Sequence, residues 1–172
     1  MSRLAALLMA PFMALPMLAA PAATPARADA RADCFAKSGE EAIRACSAAI
    51  AQDPGDAVSH LNRAYEYLQK GDHAHSFADY TRAIEIDPAR WDAFQGRAWA
   101  LLKSGRPAEA LADTDAALKL KPDAAQALDT RAHILEALGR REDAIAAFRR
   151  ALAIEPRLSG SREGLKRLGA SP

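Results

Sequence analysis

Between residues 57 and 154 the apolar side chains recur at steps of three and four, the spacing that gathers them on one face of an α-helix. The pattern breaks at short polar or glycine-containing turns. It predicts three helix pairs: 57–70 with 73–86, 91–104 with 107–120, and 125–138 with 141–154. In the first pair Tyr67 and Tyr80 fall on the buried stripes, and Ala64, Ser76 and Ala83 leave no bulk where the helices cross. Gly71 suits the left-handed stop of the first helix. Asp72 suits the cap of the second, and Pro88, without a backbone N–H, ends it. Asp56 and Asp123 read as further N-caps, and Pro107 as a first-turn residue. One such hairpin cannot bury its own apolar face, whereas stacked hairpins can.

The pattern is also periodic. Pro54, Pro88, Pro122 and Pro156 stand 34 residues apart, preceded by IAQD, IEID, LKLK and AIE. Gly71, Gly105 and Gly139 keep the same step, as do Ala64, Ala98 and Ala132, and Ala83, Ala117 and Ala151.

These residues resemble the tetratricopeptide repeat family. The carriers are Ala64, Tyr67, Gly71, Ser76, Tyr80, Ala83 and Pro88 in the first unit. The second has Ala98, Leu101, Gly105, Ala110, Thr114, Ala117 and Pro122, and the third Ala132, Leu135, Gly139, Ala144, Phe148, Ala151 and Pro156. The resemblance implies an all-α, right-handed α-solenoid of three 34-residue helix-turn-helix units, 55–88, 89–122 and 123–156. A half unit over 31–54 precedes them, and a capping helix and tail over 157–172 follow. The cap is a short amphipathic piece ending near Leu168. Two positions depart from the family pattern. His60 stands where later units have Phe94 and Leu128, and Thr114 replaces the usual aromatic, so unit two is expected to pack least tightly.

The amino terminus is different in kind. Met1-Ser2-Arg3 is a short basic start, Leu4 to Ala20 is apolar, and Ala28-Asp29-Ala30 closes a small-residue stretch. This layout predicts a signal peptide over 1–30, cleaved after Ala30, and a periplasmic location. Pro11 and Pro16 argue against an uncleaved anchor, so no membrane insertion is expected after cleavage. Arg31-Ala32-Asp33 ahead of Cys34 is too polar for a lipidation signal. Export places two cysteines, Cys34 and Cys46, in an oxidising compartment. A disulfide between them would pin the segment leading into a helix over 40–51; unpaired buried thiols or a metal site are the alternatives.

Charge narrows the partners. Twenty-three basic and 22 acidic residues give a net charge of +1, which predicts no nucleic-acid partner. Arg63, Arg97 and Arg131 recur one period apart; Asp79 and Asp113 recur too, but Ala147 breaks their series. Arg63–Asp79 and Arg97–Asp113 pairs follow as an expectation, with Arg131 left to find another partner; solvated arginines are the alternative.

In the family, the first helix of each unit lines the concave side. The resemblance therefore places Val58, Leu61, Tyr65, Leu68 and Gln69 on a groove, with Asp92, Gln95, Trp99, Leu102 and Lys103 beside them. Gln126, Asp129, His133 and Glu136 follow in unit three. Tyr65, Trp99 and His133 are equivalent and form a ladder of rings; aromatic groups with a polar tip are common anchors for peptides. The face turns from apolar to polar and acidic, which fits a partner with an apolar half and a basic or amide-rich half. The alternative is that Tyr65 and Trp99 pack against neighbouring helices. Leu61, Tyr65, Gly96, Gln126 and Thr130 stand where some relatives clamp a terminal carboxylate, so that ligand is not expected.

No nucleophile with a placed base and no phosphate loop is present, so no enzyme activity and no cofactor is expected. His73 and His75 flank a turn without a third ligand at metal spacing. The expected function is a non-catalytic periplasmic adaptor that binds a protein or peptide in its groove. The alternatives are an accessory subunit or metal-handling factor of an exported enzyme, using His73, His75 or His133, and a self-assembling repeat protein.

Overall fold

The structure is a computed structural model that describes residues 25–172, with side chains from Ala30 onward. Residues 1–24, which hold most of the expected signal peptide, lie outside the described residues. Nine helices and no strand occur among the described residues. They run α1 (Pro25–Ala36), α2 (Gly39–Gln52), α3 (Ala57–Gln69), α4 (His73–Ile86), α5 (Trp91–Lys103), α6 (Pro107–Leu120), α7 (Ala125–Ala137), α8 (Arg141–Ile154) and α9 (Ser159–Arg167).

The turns repeat one device. Gly71, at φ 79°, ends α3 in the left-handed region. Its N–H reaches the Leu68 carbonyl at 3.0 Å, while the Asp72 N–H reaches Tyr67 at 2.9 Å. This is the double closure that satisfies the last carbonyls of a helix. Arg106 to Leu101 and Arg140 to Leu135 repeat the second bond at 2.9 Å. Asp56 and Asp72 cap α3 and α4 by accepting from Val58 and His75 backbone N–H groups. Asp123 does not cap α7: Ala124 occupies that position, without a side-chain bond. Residues 56, 90, 124 and 158 share the cap position of the period, so Asp123 falls one residue early.

Consecutive helices pack throughout, making a stacked α-solenoid. The odd-numbered helices also touch one another in succession, α1 to α3, α3 to α5, α5 to α7 and α7 to α9, whereas no even-numbered helix touches the next even one. The odd helices therefore lie on the shorter, concave side of the stack. The interior is built largely of alanine: Ala64, Ala83, Ala98, Ala110, Ala117 and Ala132 are all fully buried.

At two hairpin-to-hairpin crossings a ring on one helix lies over a glycine on the next. The buried Tyr80 ring lies over Gly96, where a Cβ would stand 2.3 Å from the ring, and Phe148 lies over Gly164 at 2.2 Å. One period after Tyr80 stands Thr114, and one period after Gly96 stands Thr130; both are buried, at 0% and 2% exposure. Thr114 and Thr130 thus hold the register positions of the ring and the glycine with neither a ring nor a glycine present, and both stay buried.

The amino-terminal unit is more complete than expected. Cys34 lies in α1, not in an irregular lead, and α1 packs along α2. The period explains this: Ala30, Cys34 and Cys46 stand 34 residues before Ala64, Leu68 and Tyr80. Cys34 and Cys46 are joined, with Cα atoms 4.5 Å apart. The disulfide thus takes the register of the Leu68–Tyr80 contact in the next hairpin. Asn62 Nδ2 donates to the Cys34 carbonyl at 2.9 Å and ties α1 to α3.

At the other end α9 starts and runs in the register of an odd helix, with Leu165 fully buried against Phe148 and Leu135. The expected cap thus covers the last hairpin from the position that a first helix takes in the other units.

Two of the expected ion pairs form, each with two bonds. Arg63 donates to both carboxylate oxygens of Asp79 at 2.7 and 2.8 Å, and Arg97 to those of Asp113 at 2.8 and 2.7 Å. Each arginine also reaches back one hairpin, Arg63 to Ser47 Oγ at 2.9 Å and Arg97 to Thr81 Oγ1 at 3.3 Å. His60 Nδ1 lies 3.0 Å from Asp79, so a buried polar group takes the place of the Phe94 and Leu128 side chains.

Candidate functional site

Tyr65, Leu68 and Gln69 of α3 face Gln95, Gly96 and Trp99 of α5 across a cavity of about 230 Å³ on the concave side. Gln126, Asp129 and Thr130 of α7 form its third wall, and Tyr80 and Leu158 complete it. The sites expected from sequence divide here. Tyr65, Leu68, Gln69, Gln95, Trp99, Gln126 and Asp129 line one cavity. Leu61 and Leu102 are partly buried against the cores of α3/α4 and α5/α6, where they hold the hairpins together. Val58, Asp92, Lys103, His133 and Glu136 do not line the cavity. Asp92 is bound by Arg90 at 2.6 Å.

The aromatic ladder is partly formed. Trp99 and His133 meet edge to face at 5.4 Å, and His133 meets Phe148 at 4.9 Å. Tyr65 is half exposed, at 50%, among the most open large apolar side chains described. Lys103 Nζ lies 4.7 Å over the Trp99 ring. Burial pushes the His133 imidazole below the ordinary histidine range, against the opposing pull of Asp129. Burial likewise raises the Tyr80 hydroxyl above the ordinary tyrosine range.

The third wall is fixed by α9. Ser161 Oγ donates to Asp129 Oδ1 at 2.6 Å. Arg167 donates to both oxygens of Glu136, at 3.0 and 2.8 Å, and its Nη2 lies 3.2 Å from His133 Nδ1. The Arg167 bonds hold the Glu136 carboxyl below the usual carboxylate range. Gln126 donates to Glu155 at 2.8 Å, and Gln95 to Thr130 Oγ1 at 2.8 Å. Sequence reasoning stopped the ladder at His133. The same 34-residue step leads on to Arg167 and back to Arg31, which pairs with Asp56 at 3.1 Å. Tyr80 and Leu158 were likewise not expected on the cavity; only packing reveals that helix α4 and a loop residue reach it.

His73 and His75 do not converge. His75 Nδ1 is bonded to Asp72 at 2.7 Å and stacks on Tyr67 at 5.0 Å, while His73 Nδ1 is buried without a partner among the described residues. Among the described residues no group of three or more histidine, cysteine, aspartate or glutamate side chains could hold a metal ion, and no helix is long and apolar enough to cross a membrane.

Three family profiles, each described as tetratricopeptide repeat, match residues 57–90, 79–112 and 96–159, together spanning 57–159. The chain belongs to the tetratricopeptide repeat family. Solved structures agree on the fold. The first tetratricopeptide domain of human RPAP3 superposes with a TM-score of 0.64 at 23% identity, over 67% of this chain and 91% of that one. The second such domain of human RPAP3, solved in complex with the HSP70 peptide SGPTIEEVD, gives 0.61 at 26% identity, over 67% and 96%. A MamA RS-1 double mutant gives 0.70 at 18% identity, over 84% and 81%. Among curated protein sequences no significant match is found.

Proposed function

We propose that this chain is a non-catalytic adaptor that binds an extended segment of a partner protein along its concave groove. The observation that carries this reading is the half-exposed Tyr65 beside Trp99 on a preformed cavity that three odd helices share. Such a surface binds through apolar burial and aromatic anchors without reorganising, so little ordering entropy opposes association. The second RPAP3 domain, of the same fold, is solved with a peptide bound, which supports a peptide segment as the kind of partner. That peptide is acidic; the one acidic side chain on the present cavity, Asp129, disfavours an acidic occupant. The disulfide supports an exported, periplasmic protein, since such bonds persist in oxidising compartments.

The test is capture of partners from periplasmic extract by the tagged protein, beside a Tyr65→Ala/Trp99→Ala variant of unchanged helical content. A protein retained by the first and lost by the second is the expected result. Retention by both would move the site off the groove and overturn the reading.

A further inference from the structure

Three side chains offer acceptors to the cavity: Gln95, Gln126 and Asp129. Gln95 and Gln126 each donate one amide N–H, to Thr130 and Glu155, and both side-chain carbonyls are free of partners among the described residues. Asp129 is the sole carboxylate on the lining. Its oxygens meet Ser161 Oγ at 2.6 Å and His133 Nε2 at 3.6 Å, and its side chain is only 16% exposed. The guanidinium next to it, that of Arg167, is held by Glu136. A carboxylate largely withdrawn from water, with no lysine or arginine bound to it among the described residues, gains from a donor-rich cation. The aromatic lining adds to this. Lys103 Nζ lies over one face of the Trp99 ring, and Tyr65 stands open on the same lining.

We infer that the cavity between α3, α5 and α7 receives a cationic side chain of the partner segment, with Asp129 and the Gln95 and Gln126 carbonyls as acceptors and Tyr65 and Trp99 as ring platforms. Arginine fits better than lysine, because its planar fork of five donors serves several acceptors while stacking on a ring. The proposal rests on the groove reading and adds the chemistry of the occupant.

Selection from displayed random dodecapeptides tests it. Peptides enriched on the wild-type protein, and not on the Tyr65→Ala/Trp99→Ala variant, are expected to share one arginine or lysine. Replacing that arginine by citrulline, which keeps the shape and removes the charge, is expected to weaken binding tenfold or more. Asp129→Asn is expected to abolish most of that difference. Ser161→Ala, which removes the Asp129 hydrogen bond but keeps the charge, is expected to retain the preference. Enriched peptides without a basic residue, or equal binding of the citrulline form, would overturn the cation while leaving the groove in place. No enrichment over the double variant would overturn both.

Discussion

Arg131 bonds to Asp115 in the preceding hairpin, whereas Arg63 and Arg97 each hold a carboxylate in their own. The period shows why. Positions 79, 113 and 147 carry Asp, Asp and Ala, while positions 47, 81 and 115 carry Ser, Thr and Asp. Where the carboxylate inside the hairpin is lost, one appears at the position that the same arginine already touches one unit earlier. The guanidinium keeps an anionic partner, but the bond now links two units instead of closing one.

The two arrangements differ in burial, and this sets their energies. Asp113 and Asp79 side chains are 9% exposed, Asp115 64%. Asp113→Ala leaves Arg97 without its anion in a largely desolvated site and is expected to cost about 3 kcal/mol. Asp115→Ala is expected to cost less than about 1 kcal/mol, since water replaces an exposed partner. Urea unfolding midpoints of the two variants would rank them, and equal shifts would refute the distinction.

The Tyr80–Gly96 crossing predicts a paired substitution. Gly96→Ala drives a methyl into the Tyr80 ring and is expected to destabilise by about 1–3 kcal/mol, despite alanine's higher helix propensity. Thr114→Phe is expected to overpack against Thr130 by a similar amount. Thr114→Phe with Thr130→Gly restores the large–small arrangement of the neighbouring crossings. A thermal midpoint for the double variant above that of Thr114→Phe is the expected outcome.

Reduction of the Cys34–Cys46 bond is expected to lower stability by about 3 kcal/mol, the loop-closure value for so short a loop. The loss should fall on α1, which the bond fixes to α2. Amide exchange in dithiothreitol would show early loss of protection over residues 31–36, with α5 to α8 unchanged.

His133 gives the protein a pH dependence of definite sign. Its folded pKa lies below the ordinary value of about 6.5, so between the two values the unfolded chain binds more protons. The associated stability is fully present above about pH 6.5 and is lost as pH falls towards the folded value. Glu136, held low by Arg167, loses its contribution only below about pH 4.5, so the two windows separate. Thermal midpoints from pH 7.5 to 5.5 should fall more steeply for the wild type than for His133→Gln; parallel curves would remove His133 as the cause.

Much of this molecule was decided by its period. The repeated prolines, glycines and alanines determine where each helix starts, stops and crosses its partner, because those needs are local: a missing N–H, a positive φ, an absent side chain. Asp79 and Asp113 were legible as partners of Arg63 and Arg97 for the same reason, since a fixed separation within one hairpin places them face to face. The groove was legible only as a helix face. Packing divided that face, turning Leu61 and Leu102 inward and leaving Tyr65 open. It also brought Tyr80 and Leu158 to the cavity from outside the face. Other features needed the tertiary stack altogether. Helix α1, read from sequence only as a segment leading into α2, is held in place by a disulfide and by Asn62. A short α9 brings Ser161 and Arg167 onto Asp129, Glu136 and His133. Asp115, an unremarkable exposed acid in sequence, meets Arg131 only when one hairpin lies on the next. Local geometry is written in adjacent residues, whereas these contacts join residues a full period or more apart, which only the stacking of the hairpins brings together.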